Sequence, residues 1–236
     1  MKNLFCIFEP TPKSHFYYEL FFYLLLGIIC GFCSLLFIRS LKFSDTFFNN
    51  IKIHPMIKPA LGGLIVGFIG IFYPQVLGIG YDSINLLFTS NTIVWYSLLI
   101  IVLLKALATF LSLGSGSSGG TLSPTIFIGA FAGYLFGMVI NYYFPNSNTS
   151  PLCYALVGIA GFISGTTRAP ITAIIILFEL SGNINIVLPL FVTSVISFIT
   201  ATKFCKDSVF TFKLCMQNKK MRNGIDINLT QKLKVD

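Results

Sequence analysis

The chain has 236 residues, 55% of them hydrophobic and only 10% charged, with a mean hydropathy of +0.82. That excludes a soluble globular enzyme of this size and implies a single-domain polytopic membrane protein. A net charge of +8 would suit nucleic-acid binding, but eight of the sixteen Lys and Arg fall between Lys203 and Lys234, which is the placement of a cytoplasmic tail; no nucleic-acid partner is expected.

The first fifteen residues hold Glu9, Pro10, Pro12 and Lys13 and no apolar run, so no cleavable signal is expected. Leu20 to Ile38 is long enough to span the hydrocarbon as a helix, and a basic loop follows from Arg39 to Lys58. Cys30 and Cys33 lie three residues apart inside that span, where buried thiols act as small hydrophobes rather than redox or metal groups. Pro59 to Pro74 is too short to cross alone, and Leu77 to Phe88 reads as re-entrant or interfacial. Val94 to Leu113 regains membrane length.

Thr125 to Phe144 forms another span, with Gly129, Gly133 and Gly137 on one face as a smooth stripe for a neighbouring helix. The polar link Pro145 to Pro151 precedes three short segments, Leu152 to Ser164, Ile171 to Leu180 and Ile186 to Ala201, and a last candidate helix runs from Ser208 to Met216. Full and half-length apolar segments punctuated by Gly and Pro are the pattern of a transporter built on broken helices.

The run GSGSSGGTLSP, Gly114 to Pro124, carries the chemistry. Ser123 and Pro124 suit the N-cap and first position of a helix, so unpaired backbone N–H groups would face back into the turn and favour an anion. A phosphate-loop reading fails because no Lys follows Gly119 and no strand precedes the turn; a role for the glycines in close helix packing alone remains open. Glu179, the only acid between Ser83 and Lys206, sits near a segment end where its carboxylate reaches water. Lys105 falls mid-segment and needs a partner, and Arg168 precedes Pro170, where it suits capping carbonyls or holding an anion. His15 and His54 lie in polar flanks, no catalytic or metal-ligating cluster appears, and neither an enzyme nor a cofactor is expected.

Several long runs in order resemble the second half of the CLC family of chloride channels and chloride/proton antiporters. They are GSGSSGGTLSP for the family's GSGxxGGxFxP, RAPITAIIILFE (Arg168 to Glu179), DSVFTFKL (Asp207 to Leu214), and KPALGGLIVGFIGIFYPQVLGIGYD (Lys58 to Asp82). The resemblance implies an all-α membrane protein with the second half of the CLC inverted-repeat fold, residues 1–220 as its transmembrane domain and 221–236 as a polar cytoplasmic tail. It implies a bacterial inner-membrane location, and chloride held by the backbone amides of Thr121 and Leu122. The signature turn is Gly114, Ser115, Gly116, Gly119, Gly120 and Pro124, and Phe210 stands at the inner gate.

Phe210 replaces the family's tyrosine, which removes one hydrogen bond to the anion, worth about 1.5 to 3 kcal/mol. Leu122 replaces the signature Phe. The first-half motifs GSGxP and G(K/R)EGP do not occur in this chain, so the resemblance implies a complementary N-terminal half as partner, together with a CLC-type dimer whose interface includes the segments from Ile171 to Ala201. A non-transporting remnant or assembly partner is the alternative that the missing motifs support.

Overall fold

A computed structural model describes residues 16–51, 54, 57–78, 95–117, 119–144, 150–205 and 207–211. These residues fold into seven α-helices: α1 (Phe16–Asn50), α2 (Ile57–Phe72), α3 (Trp95–Gly114), α4 (Leu122–Tyr143), α5 (Pro151–Thr167), α6 (Pro170–Ser181) and α7 (Val187–Phe204). Short 3-10 turns occupy Pro74–Val76 and Ile184–Ile186. Most of the re-entrant candidate Leu77 to Phe88, most of the final helix Ser208 to Met216, and the tail 221–236 lie outside the described residues.

The expected basic loop after Ile38 is a correction: α1 continues through Arg39 and Lys42 to Asn50. Phe37, Ile38, Leu41, Ser44 and Phe48 recur at helical spacing and are all buried, while Arg39, Phe43, Thr46 and Asn49 face outward. Thirty-five residues make a helix of about 52 Å, well beyond the roughly 30 Å hydrocarbon layer, so α1 is tilted or leaves it. Three helical stretches among the described residues are long and apolar enough to cross a membrane: Glu19–Asn50, Leu122–Tyr143 and Ile184–Phe204. By contrast, the 12 residues of α6 span only about 18 Å.

Helix α5 is the centre of the bundle. Every residue from Cys153 to Thr166 is buried, because α1, α4, α6 and α7 pack around it. Ser150 caps its start, the side-chain Oγ accepting from the Leu152 N–H at 3.4 Å, and Pro151 takes the first turn where no N–H is needed.

The most extensive packing is between α4 and α5, and glycine permits it. A Cβ at Gly129 would lie 2.8 Å from the Ile159 Cα, one at Gly137 would lie 2.8 Å from the Pro151 Cα, and one at Gly133 would collide with the Tyr154 carbonyl oxygen. Gly158 of α5 faces the same stripe, where its own Cβ would meet the Gly129 carbonyl oxygen at 2.6 Å. The stripe read from the sequence therefore works as a contact of backbone on backbone.

Small polar side chains join α7 to α5 and to α1. Ser164 Oγ donates to the Ser194 carbonyl and Ser197 Oγ to the Gly161 carbonyl, each at 2.7 Å, while Thr193 Oγ1 donates to the Tyr23 carbonyl at 3.0 Å. The buried Cys30 thiol points at the Gly158 carbonyl at 3.7 Å and serves packing in the same seam.

Gly133→Val is expected to cost about 3 kcal/mol of unfolding free energy in detergent micelles, since the added atoms meet backbone that cannot rotate away. Gly63→Ala, where nothing lies within 4 Å of the new Cβ, is expected to be neutral or slightly stabilising in the same measurement.

Candidate functional site

The glycine-rich run first ends α3. The Gly116 N–H donates to the Leu113 carbonyl at 3.3 Å and the Ser117 N–H to the Ser112 carbonyl at 3.2 Å, with Gly116 at φ +90°. This is a Schellman ending, and its left-handed residue favours glycine strongly. Ser115, buried, turns its Oγ onto the Ser112 carbonyl at 2.8 Å. Gly114 is needed for a different reason: a Cβ there would strike the Ser44 Oγ of α1, whose own hydroxyl donates to the Phe110 carbonyl at 2.6 Å. On the other side a Cβ at Gly62 of α2 would lie 2.6 Å from the Ser115 Cβ. The turn is thus wedged between α1 and α2, whereas Gly119 is only loosely bounded by Leu113 and Gly120 is open.

The next element starts earlier than the Ser123–Pro124 expectation. Helix α4 begins at Leu122, with Thr121 as N-cap in right-handed helical conformation (φ −91°, ψ −18°) and making no side-chain cap bond. The first intrahelical bond runs from the Thr125 N–H to the Thr121 carbonyl at 3.3 Å, and Thr125 Oγ1 folds back onto the Leu122 carbonyl at 2.7 Å. Pro124 still fits, because a first-turn residue has no acceptor within the helix to lose. The N–H groups of Thr121 and Leu122 find no acceptor among the described residues, and they stand at the positive end of a 22-residue helix. Leu122 is 43% exposed, so the described residues do not cover it.

Phe210 lies in the turn that closes the described chain. Phe210 is 61% exposed, while the preceding Val209 is buried in a cluster with Leu113 at the end of α3, Ile128 in the second turn of α4, Phe37 and Phe162. That shared cluster brings the Phe210 turn to the signature turn. Ser208 Oγ accepts from the N–H groups of Phe210 and Thr211, and the Val209 N–H donates to the Thr166 carbonyl of α5 at 3.0 Å.

The isolated cations have partners. Lys105, only 4% exposed, donates to the carbonyls of Val76 at 2.7 Å and Gly78 at 2.6 Å and stands 5.4 Å from the centre of the Phe127 ring, so it ties α3 to the turn after α2. Arg168 donates to backbone carbonyls, the first of the two roles its sequence position suited. Glu179 is exposed in the last turn of α6, away from the core, in keeping with its reading as a segment-end carboxylate. Sequence reasoning missed Ser44, Gly62 and the Lys42–Asp207 ion pair of 2.5 Å. Ser44 and Lys42 lay in the stretch taken as a loop, where the spacing of Leu41, Ser44 and Phe48 was the available signal.

Full and half-length apolar helices, with a helix end left open at a glycine turn among the described residues, define an integral membrane protein of the broken-helix kind. The chain belongs to the voltage gated chloride channel family, whose sequence profile matches residues 3–202. It is 33% identical over 193 residues to a ClcB-like chloride channel protein of Ralstonia nicotianae, covering 82% of this chain and 45% of that protein. It is 32% identical over 184 residues to the voltage-gated ClC-type chloride channel ClcB of Escherichia coli, covering 78% and 44%. The chain spans just under half the length of these relatives. Among solved structures it resembles a slow cyanobacterial Cl−/H+ antiporter with a TM-score of 0.79 at 23% identity, covering 92% of this chain and 51% of the other, a likeness of fold. A eukaryotic CLC transporter matches with a TM-score of 0.71 at 26% identity, covering 84% and 35%. The fold is that of one CLC half, the half that the sequence motifs place second.

Because the Thr121 side chain caps nothing, Thr121→Ala is expected to leave anion binding within about twofold of the parent chain, well under the roughly 1 kcal/mol of a lost cap. Thr121→Pro removes one of the two amide donors and is expected to abolish binding, measured by chloride titration calorimetry. Equal affinity in the two variants would contradict the assignment.

Proposed function

We propose that this chain is the C-terminal half of a chloride pathway, supplying the Thr121 and Leu122 amides as anion ligands and Phe210 as an inner gate. The observation that carries the reading is the pair of acceptor-less N–H groups at the start of α4, presented by a turn that α1 and α2 hold in place. Two amide dipoles and a helix N-terminus stabilise an anion without a resident positive charge, so the ion is held and still released. Phe210 gives bulk and an apolar surface that opposes hydrated ions, but no donor. The chain works as a transporter rather than an enzyme and needs no cofactor.

Transport requires a complementary N-terminal half to close the other side of the pathway, since open amides facing lipid would be costly. Residues 1–220 act as the membrane domain, with residues 221–236 as a tail on the cytoplasmic side of a bacterial inner membrane. The outward apolar row of α6 and α7, including Ile171, Ile175, Leu188 and Phe191, supplies part of a subunit contact in a CLC-type dimer. A second reading, a non-transporting assembly partner, is favoured by the one departure that bears on the ion directly, the missing hydroxyl at Phe210.

Chloride efflux from liposomes separates the two. Reconstitution with an N-terminal half carrying GSGxP and GREGP is expected to give efflux well above that of either half alone, and no efflux from the pair would leave the assembly-partner reading standing.

A further inference from the structure

Arg168 is the one described residue other than glycine with a positive φ, at +65°, a conformation that costs an L side chain roughly 1 to 2 kcal/mol. It ends α5, its own N–H donating to the Ser164 carbonyl at 3.1 Å. Glycine would serve there with less strain, as Gly182 does at the end of α6. What glycine could not supply is the guanidinium, which bonds the Gly165 carbonyl of α5 at 2.8 Å, the Ala201 carbonyl of α7 at 3.0 Å and the Cys205 carbonyl at 2.8 Å, and approaches the Asp207 carbonyl at 3.4 Å. Two helix C-termini, each an end of partial negative charge, converge on one planar cation.

The residues held this way lead directly into Phe210. Cys205 and Asp207 are fixed by Arg168, the Asp207 carboxylate is tied to Lys42 of α1, and Val209 is pinned to Thr166 of α5 by its backbone. We propose that Arg168 is a positioning residue for the gate: its guanidinium sets the Phe210 turn against the end of α3 and the start of α4, and so sets how far the ring closes the pathway. The proposal rests on the transport reading for its consequence, though not for its geometry.

Arg168→Gly keeps the left-handed ending and deletes the clamp. If Arg168 did no more than end α5, this variant would be neutral or stabilised and the Val209 amide would exchange as before. Instead, hydrogen exchange on the full chain in micelles is expected to show the Val209 amide exchanging roughly tenfold faster or more, with the interior of α5 unchanged. Arg168→Lys is expected to recover only part of the protection, because one ammonium cannot span both helix ends. Lys42→Met, which cuts the Asp207 tie from the other side, is expected to speed exchange at the same amide and keeps the test open if Arg168→Gly fails to fold. Parent-like exchange at Val209 in Arg168→Gly, or in both Arg168→Lys and Lys42→Met, overturns the clamp. With the complementary half present, Arg168→Gly is expected to change chloride efflux at least threefold; faster exchange with parental efflux overturns the link to gating. Absence of efflux from the parent pair defeats the transport reading, while the exchange data still decide the clamp.

Discussion

A backbone N–H or C=O in hydrocarbon has to be hydrogen-bonded, and a bundle of broken helices exposes many such groups in its interior. This chain meets that demand differently at each break. The end of α3 closes on itself through Gly116 and Ser117, the carbonyls after α2 are taken by Lys105, and the ends of α5 and α7 are taken together by Arg168. At the start of α4 the proximal carbonyls are used by Thr125, and, as at the uncapped start of α6, the first N–H groups, here those of Thr121 and Leu122, find no acceptor among the described residues. An open pair at the end of a turn wedged between α1 and α2 is a place for something that accepts hydrogen bonds.

The fold keeps that pair in register by close packing rather than by long side chains. Gly129, Gly133 and Gly137 bring α4 onto the backbone of α5, and α5 is buried on every side, so the direction of α4 and of its N-terminus follows from the core. Gly114 and Gly62 fit the preceding turn against Ser44 and Ser115 with no room to spare. The Phe210 turn reaches the same place through Val209, which shares a cluster with Leu113 and Ile128. Site and core therefore share one packing arrangement.

Much of this was legible in the sequence because the segments are apolar and sharply punctuated. Val94 to Leu113 became Trp95–Gly114, and Ile171 to Leu180 became Pro170–Ser181, each within a residue. Hydropathy alone hides the continuation of α1, because Arg39, Lys42 and Asp45 lower the mean over a stretch whose inward face is still Leu41, Ser44 and Phe48. Ser123 and Pro124 suit the N-cap and first position of α4 by propensity, but the turn reaches helical geometry two residues sooner, at Thr121. Which partner Lys105 or Arg168 finds is a matter of tertiary placement, and the sequence could only say that each needs one.

The proposed anion site uses main-chain donors at Thr121 and Leu122 rather than a side chain of this chain. Its most direct test is anomalous diffraction from crystals of the assembled halves grown in bromide. A bromide peak is expected within hydrogen-bonding reach of the Thr121 and Leu122 backbone nitrogens, persisting in Thr121→Ala. Bromide found only elsewhere, or none at the α4 N-terminus at saturating concentration, would contradict it.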